Sequence, residues 1–538
     1  MELKRLKNFQ ILLALTILAA VSFQPQKASH DVALYLQCGN LLLSGELPYV
    51  DIMDTNPPMI MYLNVIPAYL ASLTHVSVIY LFLLLVFGLL VFSAVSLKRL
   101  LLRSPLAVNL LLVETIVIFW IAYSLFCRWI NDFGQREHLF TLFYLPFFLL
   151  RWSRYEGGAV TRKEALLLGS TAGVMACLKP YFLLVAAAPE IYWLLSKRKI
   201  GNIFKPETFV FSGAVVLYTL HFLFLPPAVK EAFFGVLIPF LRDHYRVYSL
   251  PSLPSIFTLG FPMNITYIIV SCIGLLALAD NDSAVKSILR PLGIVTLAGM
   301  FIHFYQGTGW VYHILPALAG AFMIAGIKAE KFLVGMLREA VTTEEKDAFV
   351  GAFLAKPLRV ACLVFALVLT GLSLSRITPP NPFALSIARY TQKNDRVLFI
   401  TADVPCPYPI LTQMERKPGS RFLWFFHMAM LYEGVKYEGK LGHFPYDRLT
   451  PKSEALSRKL LGDLEEDIHR LRPKLIYITK LYSYDVRLYA FSILEYLQNE
   501  HFIENNLQDY VRMDDVNNYE TYVLKEDPAT SNSRPYPK

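Results

Sequence analysis

Residues 30–70 read HDVALYLQCGNLLLSGELPYVDIMDTNPPMIMYLNVIPAYL, and how they meet a membrane decides how the rest of the chain is threaded. His30 and Asp31 stand directly before a helical run, 32–43. A Gly45/Pro48 turn leads past Asp51 and Asp54 to the double proline 57–58. The apolar stretch 58–73 opens at that double proline and carries Pro67 inside it. If it lies flat on the surface, every later segment keeps one sidedness; if it crosses, every later segment is inverted.

Composition places the question in a bilayer. Of 538 residues, 55% are hydrophobic and only 17% charged, with a mean hydropathy of +0.43; soluble domains carry nearer 25% charged residues. Eleven apolar runs approach the roughly 20 residues needed to span hydrocarbon. They lie near 9–23, 76–97, 106–126, 139–150, 164–178, 180–195, 207–225, 260–279, 291–304, 312–327 and 359–375. The first, behind Lys4, Arg5 and Lys7, reads as an uncleaved anchor rather than a signal peptide, because no small-x-small cleavage site follows closely.

With 58–73 flat on the outer surface, basic residues segregate. The inner segments 1–8, 98–103, 151–163, 197–205, 280–290 and 328–359 hold 22 Lys and Arg. The outer segments 24–58, 127–138, the turn at Lys179, 226–259 and 304–311 hold 7. By the positive-inside rule the N-terminus is cytoplasmic, and residues after 375 are outside. The formal charge of +9 is therefore an orientation signal, and no nucleic-acid partner is expected. The six cysteines, Cys38, Cys127, Cys177, Cys272, Cys362 and Cys406, show neither disulfide-scaffold nor zinc spacing.

The expected fold is thus a polytopic α-helical membrane protein of about 11 transmembrane helices with a C-terminal extracytoplasmic α/β domain. Residues 1–375 form the membrane domain, with its first outer loop at 24–75. Residues 376–527 form the α/β domain, from the strand-like runs 397–401, 474–479 and 519–525 and the helical stretches 453–472 and 485–499. Residues 528–538 read as a disordered tail.

The first outer loop gathers three carboxylates, Asp31, Asp51 and Asp54, at the membrane surface. Spacing alone leaves two readings open: Asp31 as an ordinary helix N-cap and one of Asp54, Thr55 and Asn56 as the next, or both aspartates as catalytic groups. Arg136, beside Glu137 and His138 in RWINDFGQREHLF (128–140), either grips a phosphate in a bidentate fork, or it and Glu137 serve as interfacial anchors or as an ion pair. Glu114 lies inside a span with no evident partner, which marks such residues as functional candidates. Glu190 is expected to reach towards Lys197, Arg198 and Lys199.

The order of an Asp after the first span, a helix, and then GELPYVDIMDTNPPMIMYL resembles the glycosyltransferase C superfamily. Within it, the pattern is similar to the bacterial branch of lipid A aminoarabinose transferases and protein O-mannosyltransferase-like enzymes. CLKPYFLLVAAAPEIYWLL (177–195) is similar to that family's Lys-Pro turn between spans, and GWVYHILPALAGAFMI (309–324) to its basic-aromatic segment opening a late span. The resemblance implies Asp31 as catalytic base. Val32 stands where an acidic partner is usual, so Asp51 or Asp54 supplies the second carboxylate. The same resemblance makes Lys179 and His313 donor-phosphate ligands, and Arg136 and His138 of the 128–140 loop are further candidates for that role.

The implied activity is inverting transfer of a sugar from a polyprenyl-phosphate-linked donor to a lipid, glycan or protein acceptor on the outer face of the cell membrane. The rival readings are a polyprenyl-linked glycan polymerase or ligase, and a lipid or sugar transporter or flippase. No cofactor and no metal are expected, although Asp51 and Asp54 are hard oxygen ligands of the kind a divalent ion takes.

Overall fold

The computed structural model describes residue 17 and residues 27–244, 263–282, 285–340, 381–430, 450–480 and 492–525. The first and last expected spans, 9–23 and 359–375, lie outside the described residues.

The chain folds into α1 (His30–Leu43), α2 (Met59–Thr74), α3 (Val78–Leu101), α4 (Leu110–Trp129), α5 (Arg136–Tyr155) and α6 (Arg162–Ala176). These are followed by α7 (Phe182–Lys197), α8 (Pro206–His221), α9 (Met263–Ala279), α10 (Lys286–Gln306) and α11 (Leu315–Ala340). Helices α3 to α11 coincide with the nine expected runs that fall on described residues. Among the described residues five stretches are long and apolar enough to cross a membrane by length and composition: Val78–Leu101, Leu110–Trp129, Pro206–Phe224, Lys286–Gln306 and Val311–Phe332. Helix α5 is the pillar of the bundle. It is buried along almost its whole length, yet carries Arg136, Glu137 and His138 at one end and Arg151 and Arg154 at the other.

Those two ends separate the molecule into two faces. At the α5 start, Gly134 lies against the ring of Phe82 near the beginning of α3, and Arg136 contacts Asn56 just before α2. Both ends of α2 are therefore on this face, so α2 enters and leaves on one side. At the opposite face the ion pairs collect. Lys98 meets Glu114 at 2.5 Å, Arg103 meets Glu164 at 2.8 Å, and Arg154 meets Glu207 at 3.0 Å. Glu114, without a partner in the sequence reading, is thus held by Lys98. Glu190 pairs with Arg151 at 2.6 Å and not with the basic run 197–199; an arginine buried on α5 needs a carboxylate more than solvated lysines do.

Beyond the bundle, β1 (Arg396–Ile400), β2 (Lys417–Pro418), β3 (Leu475–Thr479), β4 (Tyr510–Val516) and β5 (Tyr519–Leu524) form one sheet in the order β2-β1-β3-β5-β4. Strand β1 is parallel to β2 and β3, while β5 is antiparallel to β3 and β4. Every residue of β3 is buried, as expected of the central strand. The long helix α12 (Pro451–Leu471) returns the chain from β2 to β3.

This domain is seated on the first loop through several separate contacts. Met53 N–H donates to the Arg421 carbonyl at 2.7 Å, and the Thr412 hydroxyl donates to the Ala33 carbonyl at 2.9 Å. Arg396 pairs with Glu46 at 2.8 Å and Arg470 with Asp51 at 3.1 Å. Helix α1 is consequently enclosed between α2 and the sheet domain, with Val32 to Gly39 all buried. Its crossing with α2 is close enough that a Cβ on Gly39 would lie 2.3 Å from the Asn64 carbonyl oxygen.

Candidate active site

Asp31 is not the cap of α1. Ser29 takes that role, its Oγ accepting from Val32 N–H at 3.3 Å, so Asp31 falls in the first turn with its side chain free for other work. One oxygen, Oδ2, accepts from Gln135 Nε2 at 2.9 Å. The other, Oδ1, lies 3.5 Å from His30 Nε2. Gln135 is itself the N-cap of α5, accepting from Arg136 N–H at 3.2 Å. A single residue therefore links the start of α5 to the carboxylate of α1. A carboxylate near a helix N-terminus is also favoured by the helix dipole.

Asp31 lines a cavity of about 380 Å³. Asp54 and Asp132 share it, with Arg136, with the Asn56 and Tyr35 that it contacts, and with Trp310 and Tyr312. Val404, Pro405 and Trp424 of the sheet domain complete the lining. Asp54 is buried, and its Oδ2 accepts from both the backbone N–H (3.2 Å) and the Nδ2 (2.9 Å) of Asn56. It caps no helix, since α2 begins after Pro58 without a side-chain cap. Burial pushes the Asp54 carboxyl up, against the opposing pull of Asn56 and Arg136. Burial, and then the charges of Asp31 and Glu137, push Asp132 well above the usual carboxylate range.

Arg136 reaches Asn56 with one guanidinium nitrogen and lies 5.0 Å over the ring of Tyr35. Its Nε is buried and has no hydrogen-bond partner among the described residues. Lys179 sits behind this wall. It pairs with Glu137 at 2.5 Å, lies 5.3 Å over the Tyr312 ring, and feels the charges of both Arg136 and Asp31. Burial and the neighbouring Arg136 push the Lys179 ammonium down to about 8, against the pull of Glu137.

The remaining sequence candidates have other neighbours. His138 accepts from Gly134 N–H through Nδ1 at 3.0 Å, and its Nε2 lies 3.1 Å from Ser124 Oγ; both nitrogens are engaged in bracing the turn. His313 lies with Nδ1 3.1 Å from Thr308 Oγ1 and its ring against Tyr312, beside the cavity wall but not on it. Asp51 is away from the cavity, accepting from Leu47 N–H at 3.0 Å and from Arg470. Among the described residues no group of three or more His, Cys, Asp or Glu has metal-holding geometry. Of seven expected site residues the cavity therefore collects Asp31, Asp54 and Arg136, with Lys179 and His313 one layer behind. Sequence reading did not find Gln135, Asn56, Asp132, Tyr35 or Trp424 in this role. Gln135 and Asp132 stand in the same short loop as Arg136, which was the available signal.

A helix bundle whose α2 begins and ends on one face, with a carboxylate-bearing first loop and a small sheet domain over that face, has an ArnT-like fold. Two solved structures share it. ArnT from Cupriavidus metallidurans bound to undecaprenyl phosphate superposes with a TM-score of 0.54 at 12% identity, covering 96% of this chain and 97% of that one. The same ArnT in the apo state gives 0.51 at 12% identity over 95% and 97%. No family model matches the chain, and no curated protein does.

Proposed function

We propose that the chain is an integral-membrane inverting glycosyltransferase that moves a sugar from a polyprenyl-phosphate donor to a cell-envelope acceptor on the outer face. The observation that carries this reading is the placement of Asp31 and Arg136 on one cavity, a carboxylate base and a phosphate-binding fork within a single site. The ArnT structure that shares the fold was solved with undecaprenyl phosphate bound, which supports a lipid phosphate as the group Arg136 receives.

In the proposed step Asp31 takes the proton of the acceptor hydroxyl through the oxygen less committed to Gln135. The acceptor oxygen forms a bond to the anomeric carbon as the bond from that carbon to the phosphate oxygen breaks. The bonding pair leaves on the phosphate, where Arg136, with the Lys179 charge behind it, stabilises it. Attack opposite the leaving group inverts the carbon. Asp54 and Asn56 orient Arg136 and are not required to transfer a proton. The partition of basic residues supports a cytoplasmic N-terminus and an extracytoplasmic sheet domain.

The test is binding of undecaprenyl phosphate to purified protein in nanodiscs, with Arg136→Ala as the comparison. The reading expects saturable binding by the wild type that the substitution weakens by about tenfold or more, as loss of charge-assisted hydrogen bonds implies. Wild-type protein that binds no polyprenyl phosphate contradicts it.

A further inference from the structure

We infer that the acceptor of the proposed transfer is an uncharged sugar hydroxyl, whose ring is received by a wall that the sheet domain contributes to the cavity, with Trp424 at its centre. This rests on the glycosyl-transfer reading and adds the chemical class of the acceptor to it.

Among the described lining residues the cationic side chains suffice for one phosphate: Arg136, and a histidine, His30, that already faces Asp31 at 3.5 Å. Arg136 is the sole Lys or Arg among the described lining residues, against the carboxyls Asp31, Asp54 and Asp132. Lys179, close enough to Arg136 to feel its charge, already faces Glu137. A phosphorylated acceptor entering from the sheet-domain side would meet carboxyls and apolar surface. Opposite charges within a desolvated site are strongly selected, and like charges there cost several kcal/mol.

The sheet-domain side has the composition of a carbohydrate platform. Val404, Pro405 and Trp424 present apolar and aromatic surface, and Trp310 lines the same cavity from the membrane domain. The C–H face of a pyranose packs on an indole, while its hydroxyls turn to the polar groups nearby; pockets of this kind combine aromatic walls with a few placed polar atoms. The wall is held in register with the carboxylates. Phe422, two residues before Trp424, forms a bridge with Met53, the neighbour of Asp54. Phe425 N–H donates to the Thr401 carbonyl at 3.0 Å, and Asp403 N–H to Thr401 Oγ1 at 3.2 Å. Both wall segments, 403–405 and 424–425, therefore converge on the end of β1.

The experiment uses full-length protein in nanodiscs loaded with undecaprenyl phosphate, titrated calorimetrically with two probes of equal chain length, hexyl β-glucoside and hexyl phosphate. The wild type should bind the glucoside and not the phosphate. Trp424→Ala should weaken glucoside binding about tenfold, Trp424→Phe should restore most of it, and both should keep wild-type affinity for undecaprenyl phosphate, which reports an intact fold. Preference for hexyl phosphate, binding of neither probe, or unchanged glucoside affinity in Trp424→Ala overturns the inference. Failure to bind undecaprenyl phosphate at all sinks instead the glycosyl-transfer reading on which it stands.

Discussion

Replacing Gly134 with alanine tests whether the loop before α5 sets the geometry of the cavity. Gly134 has φ +86°, and a Cβ there would lie 2.5 Å from the ring of Phe82 on α3. Holding an L-residue in the left-handed region costs about 1–2 kcal/mol, and forcing a carbon into a packed ring adds about 1–3 kcal/mol. Gly157, at the other end of α5, is the internal control: its φ is +84° but nothing lies within 4 Å of its would-be Cβ. Gly157→Ala should cost only the backbone component, about 1–2 kcal/mol, and Gly134→Ala ~2–5 kcal/mol. Because the Phe82 ring is itself buried in the core, relief of the clash is expected to move the turn, and with it the Gly134 N–H bond to His138 and the Gln135 bond to Asp31. The assay is thermal unfolding of both variants in detergent together with undecaprenyl phosphate affinity. Gly134→Ala should unfold well below Gly157→Ala and lose lipid-phosphate affinity. Equal unfolding temperatures for the two variants, or unchanged affinity in Gly134→Ala, refute the coupling of this turn to the site.

Further outcomes follow from the ion pairs. Because the Lys179 ammonium is pushed down to about 8, donor-phosphate affinity should fall, by about tenfold, as pH rises through that value and the cation is lost. Stability should change in the opposite sense. The folded form holds the Lys179 proton less tightly than the unfolded chain, whose lysines titrate near ~10.4, so the protein gains stability from about pH 8 to that value. Lys179→Arg should remove both dependences, read by titrating lipid phosphate and by unfolding across pH 7–10. Asp51→Asn removes only a partly exposed pair with Arg470. It should cost about 0–1 kcal/mol and leave sugar transfer near the wild-type rate. Glu207→Gln takes one carboxylate from Arg151, which keeps Glu190, and the carboxylate from the half-buried Arg154; it should destabilise by about 1–3 kcal/mol, measured by the shift in unfolding.

Periodicity and hydropathy place the helices well here because each is a local property. The run 76–97 becomes α3 and 312–327 lies within the late helical stretch, with boundaries displaced by a few residues. That α2 begins and ends on one face was legible through a different signal, the asymmetry of lysine and arginine between loops. Partners were not legible. Asp31 and Gln135 are separated by 104 positions and meet through a hydrogen bond that no local pattern encodes. The cap of α1 was misplaced by two residues because Ser29 and Asp31 are equally good cap types, and only backbone geometry chooses between them. Strand β4 escaped notice for a related reason. As an edge strand it exposes Arg512, Asp514 and Asp515, so it lacks the apolar run that betrays β3. The contribution of Trp424 depends on how a separate domain is seated, which is the information furthest from any short stretch of sequence.

If Asp31 is the base of a sugar transfer, one rate shows it. Asp31→Asn keeps the size of the side chain and an oxygen for the Gln135 bond but cannot accept the acceptor proton. With a polyprenyl-phosphate sugar donor and purified protein, this variant should bind undecaprenyl phosphate as the wild type does while transfer falls by roughly 10²–10⁴-fold. Transfer at the wild-type rate by Asp31→Asn means that Asp31 is not the base.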